Sequence, residues 1–415
     1  SFAAGGFRRI RCRRRSFLPT GWQRAVPERS SGRADYRERG VIAVTSVLNE
    51  IAKLRRGKAV DIDCRNGNRY CLICREADGT KTAYYFSAPV YCFRTRKLLD
   101  LRFRESGGVI AAVGSNADIM MSDRVKLSGP EGSVCLELPG RALLVSPQRA
   151  EAGGCVLSPT VNGILVRCPS GSRFTVECGQ SGLGIRENDR CIAFMREDFR
   201  PLTVLSCIGA DDGSGNISVP ARLAYRKLTD RRYCFSVSAA DDTEKEVIFE
   251  LNLYENKLFQ DTTVECADPS VNNAFGTVGF IGHSPFYGEQ WLYSRPDLSR
   301  IPEMTGRYVR KAVLHVPEHG SGGGDVSAFR VSARFCSFGS VWDNRVAGGA
   351  LVSEGMRADG YRSFDVTSLL VDPQTRTFSY SDGLILKPKG RAGGFAVLAT
   401  GDSSFSPQVL EVNYL

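Results

Sequence analysis

Short runs of β-branched, aromatic and cysteine residues recur along most of the chain, separated by glycine, aspartate, asparagine, serine and proline. Runs of this kind, bounded by turn residues, predict β-strands. The predicted strands are Tyr70–Cys74, Thr82–Phe86, Val109–Val113, Val134–Leu138, Ile164–Cys168, Phe174–Cys178, Cys191–Phe194, Leu202–Cys207, Cys234–Val237 and Val247–Leu253. Regular short strands without intervening helices are typical of antiparallel sandwiches, so we predict an all-β fold.

Two segments near the C-terminus alternate apolar and polar residues with a period of two. Alternation of this kind predicts strands with one face on a core and the other towards solvent. The apolar positions are Ala312, Leu314 and Val316 in one segment and Leu410, Val412 and Tyr414 in the other.

One segment has the period of a helix instead. Val47, Leu48, Ile51 and Leu54 are spaced three or four residues apart, as on one face of an α-helix. Thr45 and Ser46 offer capping hydroxyls before them and Gly57 follows as a stop. We therefore predict one short helix from about Thr45 to Arg56.

The 415 residues are enough for two or three domains, and 42% hydrophobic with 24% charged residues is a globular composition. The formal charge of +10 is concentrated at one end, because eleven arginines against three acidic residues give residues 1–40 a charge of +8. The remainder is nearly neutral, so nucleic acid is not an expected partner. We predict a disordered basic tail at 1–40 and two β-rich domains, 41–257 and 258–415, that meet near Glu255–Phe259.

The tail has two further interpretations, because a basic arm can neutralise phosphates or lie on an anionic membrane surface. Its Arg14-Arg15 pair lacks the following apolar segment that an export signal needs. No stretch of the chain approaches 18 consecutive apolar residues, so a membrane-spanning helix is not predicted.

The chain shows no standard catalytic motif, and it has three histidines: His283, His315 and His319. We therefore predict a non-enzymatic protein without a cofactor, although carboxylate chemistry stays open. Cys71 and Cys74 form a C-x-x-C without the second pair that a zinc site needs, and Asp211-Asp212-Gly213 is a hairpin turn that could touch calcium. Most of the fourteen cysteines stand singly in apolar runs, which predicts buried free thiols.

Residues 258–415 contain short motifs in a fixed order. They are the strands Phe259–Val264 and Val278–Gly282, the turn Asn272–Gly276, the segment Leu292–Pro302, the loop Trp342–Arg345, and the strands Phe364–Leu370, Gly383–Leu386 and Pro407–Tyr414. In this order they resemble the DNRLRE-type module of bacterial surface and wall-associated proteins, which is related to carbohydrate-binding modules. Pro296 stands where that module has an apolar residue; because proline donates no ladder hydrogen bond, the strand should end or bulge there.

The resemblance implies a jelly-roll-like antiparallel β-sandwich and a non-catalytic scaffold or adhesion protein at the bacterial surface. A carbohydrate-binding protein that recognises a cell-wall or environmental polysaccharide is the alternative, and a carbohydrate-active enzyme is the third possibility. A glycan site needs aromatic rings with nearby polar groups. Its candidate residues are Tyr287, Trp291, Arg295, Trp342 and Arg345. Free thiols favour a reducing compartment and the resemblance favours the cell surface, so the location stays open.

Overall fold

The computed structural model describes residues 47–415, apart from 57, 59–60, 64–66, 92–97, 212–214, 256–257, 302–303, 380 and 391–392. The predicted tail at 1–40 and the capping residues Thr45 and Ser46 lie outside the described residues. Throughout the described part, strands dominate and pair antiparallel, which confirms the all-β class. None of the helices described there is long and apolar enough to cross a membrane.

The described chain begins with helix α1 (Val47–Leu54), followed by the hairpin of β1 (Cys71–Arg75) and β2 (Lys81–Phe86). Val47 and Ile51 are buried against this hairpin, which confirms the predicted helix and most of its apolar stripe. Leu48 differs from the prediction, because it is 37% exposed. Cys71 and Cys74 lie in two different cores, as opposite faces of a strand require.

In the next region, up to residue 253, every regular element among the described residues is a strand. In chain order they are β3 (Arg102–Ser106), β4 (Val109–Val113), β5 (Asp118–Met121), β6 (Arg124–Gly129), β7 (Gly132–Glu137), β8 (Leu143–Ser146), β9 (Arg149–Ala152), β10 (Cys155–Pro159), β11 (Gly163–Pro169), β12 (Ser172–Cys178), β13 (Gly184–Glu187), β14 (Cys191–Met195), β15 (Pro201–Asp211), β16 (Ile217–Val219), β17 (Ala221–Lys227), β18 (Arg232–Ala239) and β19 (Glu246–Leu253).

These strands form two sheets that pack face to face. The outer sheet has the order β17-β18-β12-β7-β6-β5-β4-β3, and the middle sheet has the order β13-β14-β15-β19-β11-β10-β9-β8 with β16 beside β15. Alternate residues from both sheets fill one shared core, for example Phe174 and Phe235 from the outer sheet and Phe249 from the middle sheet. The pair is therefore a β-sandwich.

The central strands of the middle sheet are buried on both faces. In β15, Leu205 and Cys207 point into the core shared with the outer sheet, while Ile208 packs in a second core with Phe280 and Phe395 from the C-terminal region. Every residue of β15 is buried. A near-continuous apolar run such as Leu202–Cys207 is what a strand covered on both sides requires.

The C-terminal region contains the remaining elements. In chain order they are β20 (Phe259–Glu265), β21 (Val278–Ser284), β22 (Gly288–Pro296), a 3₁₀ turn (Leu298–Arg300), β23 (Val309–Ser321), β24 (Val326–Val331), β25 (Gly348–Glu354), β26 (Met356–Ala358), β27 (Tyr361–Asp365), the short helix α2 (Thr367–Leu370), β28 (Leu384–Pro388), β29 (Gly394–Ala399) and β30 (Val409–Tyr414).

The long strand β23 folds this third sheet over on itself. Its first half pairs with β30 from Val309 to His315, and its second half pairs with β29 from Glu318 to Ser321, with a register shift inside each pairing. The two halves enclose a core that contains Leu314 and Leu410 from one half and Leu292 and Leu386 from the other. The predicted core face of both C-terminal segments is confirmed, because all six apolar positions are buried, but His315 on the opposite face is buried as well.

Two strands of the C-terminal region end for local reasons. Strand β22 ends at Pro296, as the missing amide donor predicts. The predicted strand Phe364–Leu370 is wrong beyond Asp365, since Thr367–Leu370 form a helical turn. The Asp365 carboxylate accepts a hydrogen bond from the Thr367 amide at 3.0 Å, which turns the chain out of the strand.

The hairpin β1–β2 joins the C-terminal sheet, because β2 pairs with β30 from Lys81–Tyr414 to Phe86–Val409. Residues before and after the predicted boundary near Glu255–Phe259 thus share one sheet. The division into domains at 41–257 and 258–415 stays a prediction.

Candidate functional site

Strand β22 places three of its side chains on one face of the C-terminal sheet. Trp291, Tyr293 and Arg295 alternate along the strand with residues that point to the opposite face, such as the core residue Leu292. On the neighbouring strand β20, Val264 pairs with Trp291. On the other neighbour, β28, Ile385 pairs with Tyr293. The loop of residues 332–347 covers this face, and we call it the covering loop.

Trp291, Trp342, Arg345 and Lys387 form what we call the tryptophan cluster. The two indole rings lie 5.2 Å apart between centroids. The Arg345 guanidinium lies 4.0 Å from the centre of the Trp342 ring, and the Lys387 ammonium lies 4.5 Å from that of Trp291. Both cations are therefore held by the negative ring faces.

The two tryptophans differ in how much of the ring is accessible. Trp291 is 9% exposed, and its indole N–H donates to the Glu289 carboxylate at 2.7 Å. Trp342 is half-buried on the covering loop, and Arg345 is exposed. A ligand can reach the edge of Trp342 and the guanidinium of Arg345, whereas Trp291 mainly supports them from below.

A groove of about 560 Å³ opens beside the tryptophan cluster. Its rim carries two exposed rings, Phe199 at 87% and Phe338 at 53% exposure. Its walls combine basic, acidic and aromatic side chains. Among them are Arg200, Arg295, Arg300, Arg334, Asp261, Asp297, Asp402, Tyr254 and Phe335. The volume lies within the range of small-molecule binding sites.

Charges of both signs meet in the groove. Arg300 forms an ion pair with Asp297 at 3.2 Å, and the Arg295 guanidinium donates to the Gln260 side chain. Burial, together with the negative charges of Asp402 and Asp261, raises the pKa of Tyr254 above its usual range. The Tyr254 hydroxyl is therefore protonated at neutral pH and can donate a hydrogen bond.

The covering loop is held in place by two neighbouring side chains, Asn272 and Arg186, which also hydrogen-bond to each other at 2.7 Å. The Asn272 amide donates to the carbonyl oxygens of Ser337 and Ser340 at 2.8 and 2.7 Å. The Arg186 guanidinium from β13 donates to the Phe338 carbonyl oxygen at 2.7 Å and lies over the Phe338 ring. The rim is thus positioned before any ligand arrives, which lowers the entropic cost of binding.

The fifth sequence-predicted residue, Tyr287, lies elsewhere. Its ring is 6% exposed in the core between the middle and C-terminal sheets, with the Arg190 guanidinium 4.1 Å from the ring centre. The structure therefore brings Trp291, Trp342 and Arg345 together, places Arg295 in the neighbouring groove, and separates Tyr287 from both.

A buried polar network surrounds Tyr287. Arg190 donates to the carboxylate of Glu265, and the Gln290 amide donates to the same carboxylate at 2.6 Å. Burial raises the pKa of Glu265, and the opposing attraction of Arg190 offsets part of that rise. The network ties the middle sheet to the C-terminal sheet.

The sequence interpretation missed both phenylalanines of the rim. Phe199 follows Arg196-Glu197-Asp198 and precedes Arg200, in a turn where its φ is +60°. A large aromatic residue within a charged turn cannot be buried by its neighbours, and that is a signal of an exposed ring. Phe338 carries no comparable local signal.

Within the part of the chain that the structure describes, no group of three His, Cys, Asp or Glu residues is arranged to hold a metal ion. Asp211, the described member of the possible calcium turn, accepts hydrogen bonds from Arg167 at 2.9 Å and from the Gly215 amide. Asp212 and Gly213 lie outside the described residues.

Comparisons with known proteins add no family assignment. No protein-family model matches the chain, and no curated protein matches it with significance. The resemblance to the DNRLRE-type module stays a prediction from the motifs.

Proposed function

We propose that this chain is a non-catalytic bacterial surface protein that acts in adhesion or as a scaffold, and that it recognises a polysaccharide in the groove. The motifs of residues 258–415 support the surface role through their resemblance to the DNRLRE-type module. The groove supports the choice of ligand.

The observation that carries the proposal is the pair of exposed rings at the rim of a polar groove. Phe199 and Phe338 are 87% and 53% exposed beside a cavity of about 560 Å³. Sugar rings present C–H groups that stack on aromatic faces, and their hydroxyls need directed hydrogen bonds. Arginines, aspartates and the protonated Tyr254 of the walls supply both donors and acceptors.

The tryptophan cluster supports the same surface from the other side of the covering loop. Phe335 links the two, because its ring lies 5.3 Å from Tyr293 and belongs to the same apolar cluster as Trp291 and Trp342. A long glycan could follow the loop from the groove to Trp342. The proposed binding surface is therefore an extended one.

The test is binding of the full chain to a glycan array, followed by titration calorimetry with the best glycan. Phe338→Ala and Phe199→Ala should each weaken binding by about 1–3 kcal/mol, by analogy with stacking of bases on aromatics. Tyr308→Ala, which removes a 46% exposed ring outside the groove, is the matched control and should leave the affinity unchanged.

The outcomes separate the candidate functions. Loss of binding in Trp342→Ala with no effect of either phenylalanine variant would move the site to the tryptophan cluster. Absence of binding to any glycan would leave the scaffold role with a protein partner. Turnover of a polysaccharide, abolished by replacing Asp261 or Asp402, would establish an enzyme instead.

A further inference from the structure

Two buried cysteines face each other across the hairpin of β10 and β11. The register of this pair runs without a shift from Pro159–Ile164 to Val156–Arg167. One further step along the same register sets Cys155 opposite Cys168. Both side chains are buried in the core between the outer and middle sheets, at 2% and 0% exposure.

The hydrogen-bond pattern of the hairpin decides how close the two residues are. The Thr160 amide donates to the Gly163 carbonyl at 2.9 Å, which makes the pair beside the loop a hydrogen-bonded one. Because hydrogen-bonded and non-hydrogen-bonded pairs alternate in an antiparallel ladder, Cys155 and Cys168 form a non-hydrogen-bonded pair. Their Cα atoms are then about 4.5 Å apart, which lies inside the 4.4–6.8 Å window of disulfides.

We propose that Cys155 and Cys168 form a disulfide when the chain folds in an oxidising compartment, and that they stay thiols in a reducing one. In this step the two S–H bonds break and one S–S bond forms. The two electrons and two protons pass to the disulfide of an oxidant, such as oxidised glutathione or a dithiol oxidase, which becomes two thiols.

The surroundings of the pair favour this chemistry. The neighbouring Cys168 thiol lowers the pKa of Cys155, so Cys155 is the sulfur that becomes thiolate more easily. The bond closes only a short hairpin with a two-residue loop, a local structure that forms before the sheets close over it. The oxidant therefore meets the pair during folding and not in the finished core.

A second pair of cysteines on neighbouring strands is arranged differently. Cys135 and Cys178 lie on neighbouring strands, but Cys135 pairs with Glu177 and Cys178 with Val134. Cys178 points into the core and Cys135 points to the other face. This pair is the internal control, because the two residues are close in the sheet and cannot be bridged.

The experiment is refolding of the denatured, reduced full chain in a glutathione redox buffer, followed by blocking of free thiols and tryptic mapping without reductant. Cleavage after Arg167 separates Cys155 in peptide 150–167 from Cys168 in peptide 168–173. We expect these two peptides to be joined, with Cys135 and Cys178 recovered as blocked thiols. Adding a reductant should separate them and lower Tm by several degrees.

Three results would overturn the proposal. They are recovery of both peptides as blocked thiols after oxidative refolding, a link from Cys168 to the nearby Cys207 instead, or an unchanged Tm on reduction of the joined peptides. A Cys155→Ala variant adds a check, because it should show no linked peptide and no dependence of Tm on reductant. Glycan binding has no part in the measurement, so its outcome is independent of the proposed function.

Discussion

Removing the Glu265 carboxylate should destabilise the protein strongly, because Arg190 would stay buried without its closest negative partner. The side chains of Arg190 and Glu265 are 8% and 4% exposed. Arg190 also donates to the Asn273 side chain at 2.8 Å, so the guanidinium is fixed and cannot turn towards water. The perturbation is Glu265→Ala in the full chain.

The size of the effect follows from the burial of the pair. Breaking a buried ion pair on one side costs roughly 3–5 kcal/mol of unfolding free energy. Asp189, whose side chain is half exposed, lies 3.5 Å from the Arg190 Nε and compensates part of the loss. We therefore expect a loss of about 3 kcal/mol. Burial raises the pKa of Glu265, so keeping this carboxylate ionised costs free energy in the folded protein. The double variant Arg190→Met with Glu265→Leu removes both buried charges and therefore should recover most of the lost unfolding free energy.

Urea denaturation followed by circular dichroism measures the free energy of unfolding, with the m-value checking that the same surface is exposed. Glu137→Ala is the control, since it breaks an ion pair with Arg232 whose side chains are 43% and 44% exposed. That control should change stability by less than about 0.5 kcal/mol. A loss in Glu265→Ala no larger than in the control would refute the claim that this network holds the two sheets together.

Three further predictions concern single residues of the C-terminal region. Trp291→Ala should cost about 3–5 kcal/mol in urea denaturation, because the ring is 9% exposed and packs on Trp342; a loss below about 1 kcal/mol would contradict its supporting role. Burial lowers the pKa of His319 to about 4 in the folded protein. Between pH 6.5 and 4 the unfolded chain therefore binds a proton on His319 that the folded protein does not bind, so the free energy of unfolding should fall as the pH drops across that window. His319→Gln should flatten this part of the plot of stability against pH. Gly320→Ala should lower Tm, because a methyl group there would overlap the Ile217 carbonyl oxygen of the middle sheet; Gly390→Ala, with nothing within 4 Å, should not.

Local pattern was sufficient for the fold class and for the position of many strands, although others, such as β5 and β17, were not predicted. Runs such as Val109–Val113 coincide with an observed strand, and the alternation around Leu314 and Val412 gives the correct buried face. A period of two or of 3.6 residues is a property of neighbours in the chain, and it survives whatever packs against it. The same reasoning found Pro296 as the end of β22.

The pattern of apolar and polar residues predicted the wrong structure or the wrong exposure at two places, where a side-chain hydrogen bond or the packing of a second sheet determined the outcome. Phe364–Leu370 has the composition of a strand, yet the Asp365 carboxylate accepts a hydrogen bond from the Thr367 amide, and Thr367–Leu370 form a helical turn. Tyr287 looked like an exposed ring in the sequence, but it lies between two sheets. Nothing in the nearby residues distinguishes a ring that faces solvent from one that faces a second layer.

By itself, then, the sequence determined that this chain forms antiparallel strands, where several of them lie, and which residues of the C-terminal strands face a core. Only the tertiary structure decided that the centre of the middle sheet is covered on both sides, that Phe199 and Phe338 frame one groove, and that Cys155 faces Cys168. The physical reason is distance along the chain. Strand formation depends on residues a few positions apart, whereas the groove and the layers depend on how whole sheets stack, and many sequences with the same local periods could stack differently.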